Sequence, residues 1–272
     1  MLYLAKVRNA GRKNKKNIRD INWMRLTYVI AYRHRLDRII NLKKVLDWVS
    51  SFANMDIIIV EQDSESKISN IYLPGRHIFA RNPGPFNKSW AFNIALRYNQ
   101  NPIIAFGDAD IIMDPAEFAA SVNQLNEHDV VSPYSSVLDL TQEENSYSFQ
   151  GLLGIKRPGR GEDDHQKTPL CGGIVLFRTE AAMRVGGWAE NYFVGWGGED
   201  DFQTYKVTKL GLRVKAMPHK SYHFHHAKQE LDHAAYHRML AQLQQLVQLD
   251  EAKLQSHINA TMPKMGMLNK YS

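Results

Sequence analysis

Asp108 and Asp110, two carboxylates one residue apart, follow directly on the apolar run Pro102-Ile103-Ile104-Ala105-Phe106. On a tight loop after a buried strand such a pair can face one ion together. Hard Mn²⁺ or Mg²⁺ takes oxygen ligands and bridges phosphates, and it stabilises negative charge on a departing diphosphate. The competing reading is an Asx-turn ahead of a helix cap, because Asp114-Pro115 comes next. A second constellation is Val194-Gly195-Trp196-Gly197-Gly198-Glu199-Asp200-Asp201. Its glycines allow positive φ and close backbone approach, and the Trp196 face suits the C–H surface of a sugar ring. Three adjacent acids repel one another, so they need a cation, helix N-terminal amides or polar ligand groups beside them. A third constellation is Tyr222-His223-Phe224-His225-His226, which offers neutral imidazoles to a metal. On a strand His223 and His225 would share a face, whereas on a turn His223 and His226 would converge. Spacing alone leaves both open.

The elements around these residues read as an α/β chain. Leu26-Thr27-Tyr28-Val29-Ile30-Ala31 is a buried strand that ends in Arg33-His34-Arg35. Leu36, Ile39, Ile40, Val45, Leu46 and Val49 recur at helical spacing. Asp56-Ile57-Ile58-Ile59-Val60 has the β-branched character of a strand covered on both faces, and it ends at Glu61-Gln62-Asp63. Lys88 to Tyr98 is a predicted helix, and the third strand runs into Gly107-Asp108. Alternating strands and helices predict a mostly parallel sheet with right-handed crossovers. Ligands bind such sheets at the carboxyl ends of the strands. The clusters at 33–35, 61–63 and 107–110 all lie at such ends, so they are expected to converge.

Further on, the glycine-rich polar stretch 141–168 is expected to be a long mobile loop beside the site. Ile174-Val175-Leu176-Phe177 is another strand, and Phe202 to Leu210 a helix supplying amides to the three acids. One amphipathic helix is predicted from Gln229 to about Leu254. The expected organisation is a basic, solvated and partly disordered leader over 1–25, a catalytic domain over 26–228 and a packed helical extension over 229–272.

Composition narrows the classes. At 272 residues, 44% hydrophobic and 23% charged, the chain has the profile of an ordinary globular protein. A single cysteine, Cys171, excludes an intrachain disulfide framework and fits a reducing compartment. No apolar run approaches the roughly 18 residues needed to span a bilayer. The N-terminus lacks the order of a signal peptide, so a cytoplasmic location is expected. Much of the net charge of +6 sits in Arg8, Arg12, Lys13, Lys15, Lys16 and Arg19. That run suits weak peripheral contact with an anionic membrane surface. No nucleic-acid motif is present and the other charges are mixed in sign, so nucleic acid is excluded as a partner.

In order, these segments resemble the β-1,4-galactosyltransferase superfamily and the related bacterial polysaccharide glycosyltransferases of the chondroitin-polymerase type. Ala31-Tyr32-Arg33-His34-Arg35 is similar to the family's Pro-Phe-Arg-Asn-Arg, and Val60-Glu61-Gln62 to its Val-Ile-Asn-Gln. Phe86-Asn87-Lys88 with Asn93-Ile94-Ala95 resembles Phe-Asn-Arg with Asn-Val-Gly. Gly172-Gly173 and Gly187-Trp188 then precede Gly195-Trp196-Gly197-Gly198-Glu199-Asp200-Asp201, the most specific match.

The resemblance implies a GT-A fold, a Rossmann-like mixed and mostly parallel sheet flanked by helices. It also implies a UDP-sugar donor, a glycan or glycoconjugate acceptor, and inversion at the anomeric carbon with Mn²⁺ or Mg²⁺. By the same resemblance, Arg33, Arg35, Gln62, Phe86, Lys88, Asp108 and Gly173 belong to the donor site. Trp196, Gly198 and Glu199 bind the sugar, and Asp200 is the base. Asp110, His226 and His223 are the metal ligands, the family's second ligand position being Met in galactosyltransferases. Departures are Lys88 for Arg, which loses a planar fork, and Ala31-Tyr32 for Pro-Phe. Leu170 stands where galactose-specific members carry Tyr; an aliphatic side chain there leaves room for an N-acetyl group. An inactive sugar-nucleotide or glycan-binding module and a sugar-nucleotide hydrolase are the alternatives.

Overall fold

The computed structural model describes residues 25–161, 170, 172–195, 197–227 and 232–271. Its first half runs β1 (Leu26–Tyr32), α1 (Leu36–Ser50), β2 (Met55–Asp63), β3 (Arg76–Arg81), α2 (Lys88–Tyr98) and β4 (Ile103–Asp108). Then come β5 (Ile111–Met113), α3 (Pro115–Asn123), β6 (Val130–Ser132), β7 (Ser136–Asp139), α4 (Phe149–Leu153) and β8 (Ile174–Arg178). The chain continues through α5 (Thr179–Arg184), α6 (Glu199–Lys209), β9 (Val214–Ala216), β10 (Lys220–His223), α7 (His233–Leu246) and α8 (Glu251–Thr261).

Seven strands form the main sheet in the order β3-β2-β1-β4-β8-β6-β9. The first four are parallel, and β8 lies antiparallel to both β4 and β6. Along β1, Leu26, Tyr28, Ile30 and Tyr32 enter one core with Trp48, Phe52 and Phe118. Val29 and Ala31 enter the other core with Trp90, Phe106 and Trp188. This is the two-residue period of a strand covered on both faces, and it explains why the first strands read as continuous apolar runs. After β1 the chain builds outward through β2 and β3, then returns through α2 to place β4 on the other side of β1. The reversal leaves a crevice at the carboxyl ends of β1 and β4, the place where open α/β sheets take ligands. There Ala31 pairs with Asp108.

A second, three-stranded sheet has the order β5-β10-β7. β5 starts directly after Asp110, and its Ile111 pairs antiparallel with His223 at the end of β10. This small sheet therefore carries the histidine segment to the rim of the main crevice.

Two expectations are corrected. The stretch from 141 to 161 is not a structureless loop: it holds a short 3₁₀ turn at Glu144–Ser146 and α4, and Arg160 bridges back to Val137. Leu152 is buried and Phe149 packs edge-on against Tyr222, so apolar anchoring overrides the glycine content. Residues 162–168 lie outside the described residues. The single C-terminal helix is two helices. The leucine spacing runs on through Val247 to Leu249, but the Asp250 side chain accepts the Lys253 amide at 2.8 Å and caps a new helix. Asp232 caps α7 in the same way through Ala235. The basic leader lies outside the described residues, of which no helix is long and apolar enough to cross a membrane.

Candidate functional site

The loop after β4 is held from two sides by backbone bonds. The Asp108 amide donates to the Gly173 carbonyl at 2.8 Å, and the Phe224 amide donates to the Asp110 carbonyl at 2.7 Å. Asp114, not Asp108 or Asp110, caps α3, accepting the amides of Ala116 and Glu117. The two carboxylates are thereby free for other work, and they face in different directions.

Asp110 is 6% exposed and faces histidines. Its Oδ1 lies 3.6 Å from His223 Nε2 and its Oδ2 lies 3.3 Å from His226 Nε2. The ligand atoms of all three residues lie within 4.8 Å of one another. The far nitrogens fix the tautomers. His226 Nδ1 is 3.0 Å from the Ala227 carbonyl, which only accepts, so Nδ1 carries the proton. His223 Nδ1 is 3.0 Å from Asp139 Oδ1. Burial raises the Asp139 carboxyl, but hydrogen bonding and charge from Arg160 and His223 outweigh it and hold it below its ordinary range, so it too is an acceptor. Both Nε2 atoms are then turned on the Asp110 carboxylate, and an O,N,N donor set suits a divalent metal.

The rest of the segment is fastened through its backbone. Asn41 and Asn145 donate to the His225 carbonyl, Asn145 accepts the His225 amide, and Asp37 accepts the Ala227 amide. Because β10 stops at His223, it is His223 and His226 that converge, with His225 outside the cluster. Asp139, held in turn by Arg160 at 2.5 Å, orients one ligand ring. Asp139→Ala is expected to weaken Mn²⁺ binding by about 10- to 100-fold, measured by calorimetric titration of the metal alone.

Asp108 looks the other way. Lys88 Nζ, at the first turn of α2, lies 3.6 Å from Asp108, 3.1 Å from Glu199 and 4.0 Å from Asp200. Burial disfavours the ammonium, but Asp108, Asp200 and Glu199 together hold its pKa well above the usual lysine value. The same crowding acts in reverse on the acids. Burial pushes the Asp108 carboxyl up; Lys88 opposes it, and Asp110 and Glu199 add to it. Burial likewise pushes Asp200 up to about 7 against the pull of Lys88. Lys88 is thus the counter-charge for Glu199 and Asp200 among the three adjacent acids.

Glycines make this approach possible. Gly198 has φ +81° at the N-cap of α6, and a Cβ there would press within 2.7 Å of the Phe193 ring. A Cβ on Gly172 would collide with the Asp200 carboxylate. Gly173 has φ +108°, and a Cβ on it would strike the Tyr134 hydroxyl.

The remaining expected donor residues divide. Arg33 donates to the carbonyls of Gln62, Gly84 and Asn82 at 2.6–2.9 Å and lies 5.8 Å over the Phe86 ring. Three of its five N–H donors are engaged in shaping the rim. Arg35 pairs with Asp37 at the start of α1, below the Ala227 amide. Gln62 is fully enclosed, and its amide bonds Asn82 and Asn87. Glu61 faces away and holds Ser66, the Lys67 amide and His77. Trp196 lies outside the described residues.

Sequence reasoning passed over Tyr134, whose hydroxyl donates to the Gly172 carbonyl and accepts the Ile174 amide. It also passed over Asn87, whose side chain caps α2, and Asp139. Of these only Asn87 left a signal, as a capping residue just ahead of a predicted helix.

Comparison with known proteins gives two family matches. Residues 29–186 match the model described as glycosyl transferase family 2, over more than half of the chain. Residues 163–229 match the model described as the N-terminal domain of galactosyltransferase. No curated protein matches in sequence. Among solved structures, the chain is similar to the mannosyltransferase PcManGT from Pyrobaculum calidifontis in complex with GDP-Man and Mn²⁺, with TM-score 0.56, 16% identity, and 89% of this chain and 70% of that chain covered. It is similar to GalNAc-T7 with UDP, GalNAc and Mn²⁺, with TM-score 0.57, 15% identity, and coverage of 90% and 52%. It is also similar to TarS 1-349 of S. aureus, with TM-score 0.56, 11% identity, and coverage of 89% and 70%. At such identities the likeness is one of fold, and that fold is GT-A.

Proposed function

Because the chain belongs to glycosyl transferase family 2, we propose that this glycosyltransferase moves a hexose or N-acetylhexosamine, Gal or GalNAc, from a UDP-sugar to a hydroxyl of a glycan acceptor, with inversion. The observation that carries this reading is the placement of Asp200 beside Lys88, Glu199 and Asp108, on the same crevice as the Asp110, His223 and His226 cluster. Mn²⁺ and sugar nucleotides or their parts in PcManGT and GalNAc-T7 support it.

In this reading Asp200 accepts the proton of the acceptor hydroxyl as that oxygen attacks C1 of the sugar. The C1–O bond to the diphosphate breaks on the opposite face, and UDP leaves with the bonding pair. Lys88 and the remaining N–H groups of Arg33 face the diphosphate, and Phe86 lies along the base side. Glu199, Gly198 and Gly173 line the sugar. Arg35 and Gln62 act from behind by fixing the rim. A divalent ion, Mn²⁺ or Mg²⁺, on Asp110, His223 and His226 would supply Lewis-acid stabilisation of the leaving diphosphate. The aliphatic Leu170, where galactose-specific members carry Tyr, supports a donor with an N-acetyl group. The place we infer is polysaccharide or glycoconjugate synthesis in the cytoplasm, peripheral to the membrane through the basic N-terminus.

A donor screen tests the reading. With Mn²⁺ and a glycan acceptor, UDP release from UDP-GalNAc or UDP-Gal is expected to exceed that from UDP-Glc and UDP-GlcNAc by about tenfold or more, the size of discrimination that a few contacts give. Release without acceptor would instead favour a hydrolase, and donor binding without release an inactive binding module.

A further inference from the structure

The last described residues run back across the fold to the start of α2. Trp90 Nε1 donates to the Met267 carbonyl at 2.9 Å, and Arg97 donates to the Met265 carbonyl at 3.0 Å. Gly266, at φ +65°, lies so close that a Cβ would meet the Asn93 backbone. Glu190, 5% exposed, is the node: its carboxylate accepts Asn93 Nδ2, the Gly266 amide and Lys270 Nζ. The path ends with the Tyr271 ring edge-on to Trp90 at 5.1 Å and its hydroxyl accepting Asn87 Nδ2 at 3.2 Å.

Asn87 is the cap of α2. Its Oδ1 accepts the Trp90 amide at 2.9 Å, and its Nδ2 also donates to the Glu190 carbonyl. The next residue is Lys88, whose ammonium joins Asp108, Glu199 and Asp200. Tyr271 therefore reaches the crevice through one intermediate side chain.

We propose that Tyr271 and Glu190 are positioning residues for the donor site, the C-terminal strap setting Asn87 and through it Lys88. This rests on the reading above that Lys88 faces the donor diphosphate. No metal ligand touches the strap, so the effect falls on donor binding and leaves the metal alone.

The test uses Tyr271→Phe in the full chain, which keeps the ring on Trp90 and removes only the bond to Asn87. Expected are faster hydrogen exchange at the Trp90 and Ala91 amides and a rise in donor KM of about fivefold, the scale of one lost hydrogen bond. In that outcome kcat and the affinity for Mn²⁺ alone stay within about twofold, too little to count as a lost contact. A second variant, Lys270→Met, loosens the strap at Glu190 and is expected to act in the same direction. Unchanged exchange in both variants would overturn the proposal. So would faster exchange with an unchanged donor KM, since the strap would then only stabilise the fold. If the wild-type chain fails to bind UDP or turn over any UDP-sugar, the donor reading fails first and the positioning proposal falls with it.

Discussion

Asp200→Asn is expected to lower kcat by about 10³-fold, within the range that a positioned general base contributes, while UDP and Mn²⁺ affinities stay near wild type. Asparagine keeps the shape and one acceptor oxygen, so the close approach of Gly172 is undisturbed. What it cannot do is take a proton. The pH profile gives a second reading of the same group. Burial pushes the Asp200 carboxyl up to about 7, with Lys88 opposing and Glu199, Asp108 and Asp201 adding to it. The acting form is the carboxylate, so kcat/KM of the wild type is expected to fall about tenfold for each unit of pH below neutrality and to level off above it. A cation bound at Asp110 would move that midpoint downward, because its positive charge offsets the Asp108 charge that helps to raise it. In Asp200→Asn the residual rate should show no such limb. Wild-type rates in the variant, or a limb unchanged by it, would remove Asp200 from the chemistry.

Much of this site was legible because local sequence dictated it. The strands of β1, β2 and β4 are continuous apolar runs, and polar residues must start where burial ends. Asp108, Asp110 and Arg33 could therefore be placed at strand ends. The three acids from Glu199 called for a cation, helix N-terminal amides or polar ligand groups, and the structure sets Lys88 beside Glu199 and Asp200. What stayed hidden is whatever depends on distant partners. His223 meets Asp139 across 84 residues, and Asn87 meets Tyr271 across 184. Neither spacing has a pattern to read.

The strands of the small sheet have three or four residues each, too short to show alternation. That sheet decides between the two histidine pairings, so spacing could not. The glycines between 151 and 161 read as freedom, whereas Leu152 and the Val137 bridge anchor the segment. At the C-terminus the leucine rhythm crosses a helix break that only the Asp250 cap announces.

Asp110→Asn is expected to abolish tight Mn²⁺ binding and to lower kcat/KM by about 10³-fold, the several kcal/mol that Lewis-acid stabilisation of a leaving group supplies. The Asp110 oxygens lie 3.3 and 3.6 Å from the two Nε2 atoms, so the carboxylate and both rings converge on one place. The difference between wild type and variant appears on titration. Mn²⁺ at about 100 times its dissociation constant stabilises a protein that binds it only when folded by about 2.7 kcal/mol. For a chain of this size that is a rise in Tm of about 5 °C or more. The rise should be present in the wild type, reversed by a chelator, and missing in Asp110→Asn. His226→Ala should lose it as well, whereas Asp108→Asn should keep most of it while losing activity, because Asp108 faces Lys88. A thermal shift that survives in Asp110→Asn and vanishes in Asp108→Asn would exchange the roles of the two carboxylates.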